Sequence, residues 1–275
     1  MTDAPALTTD LTDGILTIRL SRPESRNAQG PALWADLASI GRELDPAARA
    51  VVLAADGPSF SAGLDRRMLT PEGIPGEGSM LGFAQLPPAD LEDLIGTFQD
   101  AFRWWRRCPV PTVAAVQGHA VGAGFQLALA CDLMVVADDV QLAMKEPSLG
   151  LVPDLGGTLP LVEAVGYSRS LELVLSGRRV GAEEAVRIGL ALQSVPGDQL
   201  DAAARELARA CASALPGAVS ATKALLRDAA VRAGAIGSGE VGYAAAHDDQ
   251  LAAERAAQGV RIRELVGMMM GRGQS

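Results

Sequence analysis

Two acidic residues, Glu146 and Asp154, lie in a stretch of sequence that is otherwise apolar and rich in glycine and proline. The stretch reads KEPSLGLVPDLGGT over residues 145–158, and it offers few neighbouring charges to solvate either carboxylate. A carboxylate in such surroundings tends toward a raised pKa, which suits a general base working near neutral pH. For either residue alone, a helix cap or a turn is the simpler interpretation.

Two glycine-containing segments each follow a stretch whose pattern predicts a buried strand. They read FSAGLD over residues 60–65 and QGHAVGAGFQ over residues 117–126. A glycine lets the backbone approach a ligand closely, and the unpaired N–H groups at the start of a helix can bind an anion. The glycine spacing of the second segment differs from the dinucleotide-binding fingerprint. A tight turn, and close packing of a helix on a strand, are the structural alternatives for the two segments.

Composition and charge exclude several classes of function. The 275 residues include 24 Lys and Arg against 33 Asp and Glu, and the net charge of −9 repels a nucleic acid backbone. Two histidines and three widely spaced cysteines give little material for a metal centre, a Ser/His/Asp relay or a disulfide framework. The chain shows neither an uninterrupted apolar run that could span a bilayer nor a secretory leader. We therefore expect a cytoplasmic protein with no metal, no nucleic acid partner and no membrane segment.

The elements that would position these segments alternate between strand and helix patterns. Alternating or continuous apolar residues predict strands over residues 15–20, 50–55, 112–116, 133–137 and 190–195. Apolar residues at helical spacing predict helices from residue 31 and over residues 90–105, 125–131, 168–175, 182–188, 200–214 and 218–233. Apart from a short piece near Met68, residues 58–88 lack a sustained period and predict a long loop. The pattern indicates an α/β core over residues 1–196 and a mainly helical part over residues 197–275.

In order and spacing, these segments resemble the motifs of the crotonase superfamily, also called the enoyl-CoA hydratase/isomerase family. The resemblance runs from DGILTIRLSRPESRNA at residues 13–28, through the two glycine-containing segments, to EPSLGLVPDLGGT at residues 146–158. It implies a crotonase-like spiral of ββα units, with the acyl-CoA site in residues 1–196. The helical part over residues 197–275 would be an oligomerisation region, and the chain would form a homotrimer or homohexamer.

The resemblance also implies roles for individual residues. Two backbone N–H groups, those of Leu64 and Ala123, would form an oxyanion hole for the thioester carbonyl of an acyl-CoA. The substrate-binding residues would be Ser25, Arg26, Ala62, Leu64, Arg66, Gly122 and Gln126. No separate cofactor is implied, because coenzyme A is part of the substrate.

The acid and base positions of the family decide the reaction that we expect. Hydratases of the family use two glutamates, whose positions here hold Glu146 and Gln126, and a glutamine has no proton to exchange at neutral pH. Asp154 matches a position at which family members that move a double bond carry an aspartate. The resemblance therefore implies an isomerase with Glu146 and Asp154 as catalytic residues. A hydratase in which Asp154 helps to handle water, and a catalytically silent acyl-CoA binding protein, are the alternatives.

Overall fold

The strands form one large sheet and one small one. The computed structural model describes residues 5–234 and, beyond them, residues 248, 251, 252, 255, 256, 258–260, 262, 263, 266, 267 and 270. In chain order the strands are β1 (Leu7–Thr12), β2 (Ile15–Leu20), β3 (Ala50–Ala55), β4 (Thr112–Val116), β5 (His119–Val121), β6 (Leu133–Ala137), β7 (Gln141–Ala143) and β8 (Gln193–Val195). The large sheet has the order β1-β2-β3-β4-β6-β8, in which β1 is antiparallel to β2 and all other neighbours are parallel.

The helices follow the strands along the chain. They are α1 (Pro31–Arg42), α2 (Met80–Phe83), α3 (Pro88–Arg107), α4 (Ala123–Ala130), α5 (Thr158–Val165), α6 (Tyr167–Ser176), α7 (Ala182–Arg187), α8 (Leu200–Ala212) and α9 (Pro216–Gly234). The described residues from 248 to 270 are also helical. Among the described residues, no helix is both long enough and apolar enough to cross a membrane.

A second set of short strand pairings accompanies the large sheet and supplies the second strand of each ββα unit. Strands β5 and β7 pair in parallel, and isolated bridges add Gln29 to Leu64 and Ser61 to Ala120. The chain therefore passes from a strand of the large sheet, through a short extended segment of the second set, into a helix. This order confirms the predicted spiral of ββα units with a helical C-terminal part.

Helices bury both faces of the large sheet at its central strands. On one face, apolar side chains of α1 and α3 pack in the main core cluster, with Leu37, Phe102 and Trp105 each at most 2% exposed. On the other face, α8 packs against β3, β4 and β6 through the small residues Ala204 and Ala208. Because β3 and β4 are covered on both sides, their sequences are apolar throughout and do not alternate.

The strands predicted over residues 15–20, 50–55, 112–116 and 133–137 are confirmed, and so are most of the predicted helices. Strand β8 begins at Gln193, three residues after the predicted start, and α5 and several short elements were not predicted. Strand β1 escaped the sequence analysis because all but its first residue are exposed, so its pattern does not alternate. Strands β5 and β7 have three residues each, which is too few to show a period. Helix α4 begins at Ala123, two residues before the predicted start, because Gly122 provides the N-cap with a φ of 52°. The predicted loop over residues 58–88 is mostly irregular, but it contains α2 and a short 3-10 helix at Arg66–Leu69.

Candidate active site

A cavity of about 700 Å³ brings most of the sequence-predicted site residues together. Nine of them line it: Arg26, Ala62, Leu64, Arg66, Gly122, Ala123, Gln126, Glu146 and Asp154. Ser25 is not part of the lining; it is exposed, and its hydroxyl donates to the backbone oxygen of Arg22. The volume is within the range of sites that bind small molecules.

Two glycine-containing segments meet at the wall of this cavity. Ser61 pairs with the strand β5, since its N–H donates to His119 O at 2.9 Å and its carbonyl accepts from Val121 N at 3.0 Å. Gly63 follows with a φ of 86°, and a Cβ built there would lie 2.3 Å from Val121 O and 3.5 Å from Ala123 N. Only a glycine fits this approach, because any side chain would push the two segments apart.

Two backbone N–H groups lie in the cavity wall near this close approach. Within the described part of the chain, neither Leu64 N nor Ala123 N donates a hydrogen bond to a backbone or side-chain acceptor. Ala123 is the first residue of α4, where the helix dipole is positive. Both residues line the cavity, so the two donors can together bind an oxygen that carries negative charge.

A buried hydrogen-bond network holds the first of these segments. The Ser61 hydroxyl donates to Asn27 O at 2.7 Å and accepts from Gly63 N and from the Gln29 side chain. Gln29 in turn accepts from the indole N–H of Trp34 at 2.9 Å. These polar groups are satisfied by one another, so the position of the Gly63 turn is fixed by several bonds at once.

Glu146 is a buried carboxylate with one partner on each oxygen. Its Oε1 accepts from Gln126 Nε2 at 2.7 Å, and its Oε2 accepts from Lys145 N at 2.9 Å. The residue is 8% exposed. Burial raises the pKa of Glu146 above its ordinary value, and the hydrogen bonds from backbone N–H groups and from Gln126 offset part of this effect. Each oxygen keeps a lone pair, so Glu146 can act as a general base toward a molecule in the cavity.

The amide of Gln126 is fixed in one orientation. Its oxygen accepts from two backbone N–H groups, Leu155 N at 3.0 Å and Gly157 N at 3.2 Å. Since only the amide oxygen can accept, the amide nitrogen must point to Glu146. Gln126 is on the first turns of α4 and is 1% exposed. The Gln126 side chain therefore links two elements: helix α4, whose first residue is Ala123, and the loop that follows Glu146.

The sequence matches the enoyl-CoA hydratase/isomerase family over residues 10–237, which includes every site segment described above. The chain belongs to this family. A probable enoyl-CoA hydratase of Mycobacterium bovis is 34% identical over 205 residues, covering 71% of this chain and 70% of that one. The human mitochondrial Delta(3,5)-Delta(2,4)-dienoyl-CoA isomerase is 33% identical over 216 residues, covering 76% of this chain and 64% of that one.

A solved structure extends the similarity to almost the whole chain. It is the "putative enoyl-CoA hydratase" of Thermobifida fusca YX in complex with acetoacetyl-CoA, with 40% identity and a TM-score of 0.78. The match covers 92% of this chain and 95% of that one. This enoyl-CoA hydratase/isomerase family member therefore shares its fold with a relative that was solved with a CoA thioester.

Asp154 lines the cavity on a loop that two other buried amides hold. Gln99 Nε2 donates to Asp154 O at 2.6 Å and to Leu251 O at 3.1 Å. Val152 N donates to Gln258 Oε1 at 3.2 Å. Leu251 and Gln258 belong to the helical C-terminal residues, so this part of the family member both closes the cavity and fixes the Asp154 loop.

Several lining residues were not found from the sequence. Lys145 and Arg179 add to the positive charge that Arg26 and Arg66 bring to the wall, and His119 also lines it. An apolar section of the wall contains Met80, Phe83, Ile95, Leu151 and Ile262. Lys145 is adjacent to a recognised motif and could have been included, but the C-terminal residues carry no motif that indicates a site.

Proposed function

We propose that this protein binds an unsaturated acyl-CoA and moves its double bond through an enolate. The N–H groups of Leu64 and Ala123 bind the thioester oxygen, and their attraction increases as that oxygen becomes negative. Two features support this role: the unpaired donors at the cavity wall and the similarity to a relative in complex with acetoacetyl-CoA.

Coenzyme A carries phosphates, and the cavity wall offers cations that can bind them. Arg26, Arg66, Lys145 and Arg179 all line the cavity, although the chain as a whole has a net charge of −9. Charge-assisted hydrogen bonds from these side chains stabilise phosphate groups. The apolar section of the same wall is suited to the acyl chain.

Glu146 performs the first proton transfer. Its carboxylate removes a proton from the carbon between the thioester and the double bond, and the electron pair moves onto the thioester oxygen as an enolate. The double bond forms at its new position when a proton is returned to the far carbon. Glu146 or Asp154 delivers that proton, because both line the cavity. The raised pKa of Glu146 suits both removal and return of a proton near neutral pH.

The orientation of Gln126 is the observation that carries this proposal. Addition of water to a double bond by two carboxyl groups requires that both exchange protons, since one accepts a proton from water and the other donates a proton to the substrate carbon. At the position facing Glu146 this chain has an amide, and its nitrogen is committed to Glu146 by the two backbone donors on its oxygen. Glu146 is thus left to shuttle a proton along the acyl chain.

Water addition is the second candidate function, and Asp154 is the residue that favours it. Asp154 lines the same cavity as Glu146, so it could hold a water that Gln126 cannot activate. Relatives named as probable enoyl-CoA hydratases are among the similar proteins.

Initial rates with two matched thioesters test the proposal. The isomerase account predicts fast formation of conjugated thioester from a 3-enoyl-CoA and slow loss of a 2-enoyl-CoA of the same length. Glu146→Gln should lower the isomerisation rate by roughly 10²–10⁴-fold while leaving the affinity for a saturated acyl-CoA unchanged. Fast loss of the 2-enoyl-CoA in the wild type would support water addition instead. Tight binding with no turnover of either thioester would indicate a binding protein.

A further inference from the structure

Gln258 is a buried polar residue in the cavity wall that the proposed reaction does not use. It is 3% exposed and lies among the helical C-terminal residues that close the cavity. Leu151 and Ile262, which line the same cavity, belong to an apolar cluster with Met80 and Ile95. An amide in such a setting costs free energy unless both of its ends are paired.

One end of the Gln258 amide is paired within the protein. Val152 N donates to Gln258 Oε1 at 3.2 Å. Only the oxygen of the amide can accept this bond, so the other terminal atom of the side chain is the nitrogen Nε2. Over the part of the chain that the structure describes, no atom accepts a hydrogen bond from Gln258 Nε2. Gln258 lines the cavity, and its nitrogen is not among the described atoms that are both unpaired and fully buried, so the nitrogen keeps some exposure at the cavity wall.

Two neighbouring amides show that this arrangement is particular to Gln258. Gln99 donates to Asp154 O and Leu251 O and accepts from Arg255, so both of its ends are paired. Gln126 accepts from two backbone N–H groups and donates to Glu146. All three amides contact the loop at residues 146–157. Of the three, only Gln258 has an amide N–H group that remains available to a molecule in the cavity.

We propose that Gln258 Nε2 binds an oxygen atom on the acyl group of the substrate, separate from the thioester oxygen. The preferred substrate is then an unsaturated acyl-CoA whose chain also carries a hydroxyl or oxo group. This inference rests on the proposed function, because it requires that an acyl-CoA enters the cavity. The thioester oxygen itself is held by Leu64 and Ala123, on different segments of the wall.

A plain acyl chain and an oxygenated acyl chain differ in the free energy that their binding costs at the Gln258 donor. A plain hydrocarbon chain in the apolar section covers the Gln258 donor and leaves it without an acceptor. A chain with an oxygen at the right carbon pairs the donor and removes this cost. Sites with a buried donor therefore reject the analogue that lacks the acceptor, whereas a purely apolar wall discriminates weakly.

Equilibrium binding of saturated thioesters tests the inference without depending on turnover. The probes are an alkanoyl-CoA and a series of acyl-CoAs of the same length, each with a hydroxyl or oxo group at a different carbon. We expect one positional isomer to bind the wild type roughly tenfold more tightly than the alkanoyl-CoA. The test variant is Gln258→Met, which keeps the length and apolar volume of the side chain but has no N–H donor. Gln199→Met, at an exposed glutamine in a surface 3-10 helix, is the matched control.

The expected result is that Gln258→Met removes the preference for the oxygenated isomer, while Gln199→Met retains it. Affinity of Gln258→Met for the alkanoyl-CoA that equals or exceeds that of the wild type shows that the cavity is intact, because the variant has no donor that a plain chain would leave unpaired. If every oxygenated probe binds the wild type no better than the alkanoyl-CoA, or if Gln258→Met keeps the preference, this inference is wrong and the proposed function is unaffected. If no thioester binds at all, the proposed function fails and this inference fails with it.

Discussion

Gln126 Nε2 donates a 2.7 Å hydrogen bond to Glu146 Oε1, and the backbone N–H groups of Leu155 and Gly157 hold the other end of the same amide. An acidic side chain at this position would instead place two carboxyl groups within hydrogen-bond distance. The amide keeps Glu146 as a single base with a defined geometry. This pairing is the structural reason for proposing proton movement within the substrate over the addition of water.

Replacing the amide by a carboxyl group is the most specific change at this pair. In Gln126→Glu one oxygen can keep the bonds from Leu155 and Gly157, and the other then faces Glu146. Two carboxyl groups this close repel each other and raise one pKa, so one proton is retained near neutral pH. We expect the variant to add water to a 2-enoyl-CoA at a measurable rate, followed as loss of the conjugated thioester absorbance.

The control for this variant is its combination with Asp154→Asn. If Asp154 does not handle water, the new hydratase activity of Gln126→Glu persists in the double variant. A Gln126→Glu variant that folds, binds the thioester and still adds no water would show that the amide is not what limits hydration.

The buried charge of Glu146 should make stability depend on pH. Burial raises the pKa of Glu146 above the ordinary value of 4.5, so the folded state binds its proton more tightly than the unfolded state. Stability then falls as pH rises from the ordinary pKa through the raised one. In Glu146→Gln this contribution is absent. We expect the variant to gain stability relative to the wild type across that pH window and to keep a constant difference above it.

Urea unfolding midpoints of both proteins, measured from below pH 4.5 to above neutrality, check this prediction. The acidic limb of the rate profile provides a second readout, because the base form of Glu146 is lost as pH falls through its raised pKa. A difference in midpoint that stays flat with pH would mean that Glu146 has an ordinary pKa.

Gly122 tests the position of the Glu146 carboxylate. A Cβ built at Gly122 lies 3.2 Å from Glu146 Oε1, and the φ of this residue is 52°. We expect Gly122→Ala to displace the carboxylate and lower kcat by more than tenfold. Gly76→Ala is the matched control, since Gly76 also has a positive φ of 80° but no atom lies within 4 Å of its built Cβ. Both variants carry backbone strain because both residues have a positive φ, and only the first should lose activity. Equal kcat values for the two variants would contradict the role given to Gly122.

Association of the chain is a further prediction. Helix α6 exposes an apolar stripe at helical spacing, with Tyr167, Leu171 and Leu175 exposed by 69%, 44% and 66%. Such a stripe favours contact with another protein surface. Together with the family resemblance, it leads us to expect a trimer or a dimer of trimers. Sedimentation equilibrium should give three or six times the chain mass of 28.4 kDa. A species of one chain mass at micromolar concentration would contradict the prediction.

The sequence carried enough information for the parts of the site that depend on backbone geometry. Gly63 and Gly122 are at turns with positive φ, and the helix after Gly122 begins beside the cavity. Because a positive φ at these turns favours glycine, the glycine positions in the sequence are enough to locate the turns. The burial of Glu146, expected from its apolar surroundings, is likewise confirmed.

The sequence could not show contacts that depend on packing between distant segments. The direction of the Gln126 amide is fixed by Leu155 and Gly157, which lie about thirty residues away. Gln258 reaches the Asp154 loop from a separation of 106 residues through one bond to Val152. Neither contact has a local pattern, because any polar residue at those positions is compatible with the surrounding helix.

The mass of the product tests the central claim most directly. Wild-type protein is incubated separately with a 3-enoyl-CoA and a 2-enoyl-CoA of the same length, the products are separated by chromatography, and each is identified by its mass and by the absorbance of a conjugated thioester. The account predicts that the 3-enoyl-CoA is converted to an isomer of unchanged mass and that this activity is lost in Glu146→Gln. Rapid formation of a product heavier by one water from the 2-enoyl-CoA would contradict it, and would show that Gln126 does not prevent the addition of water.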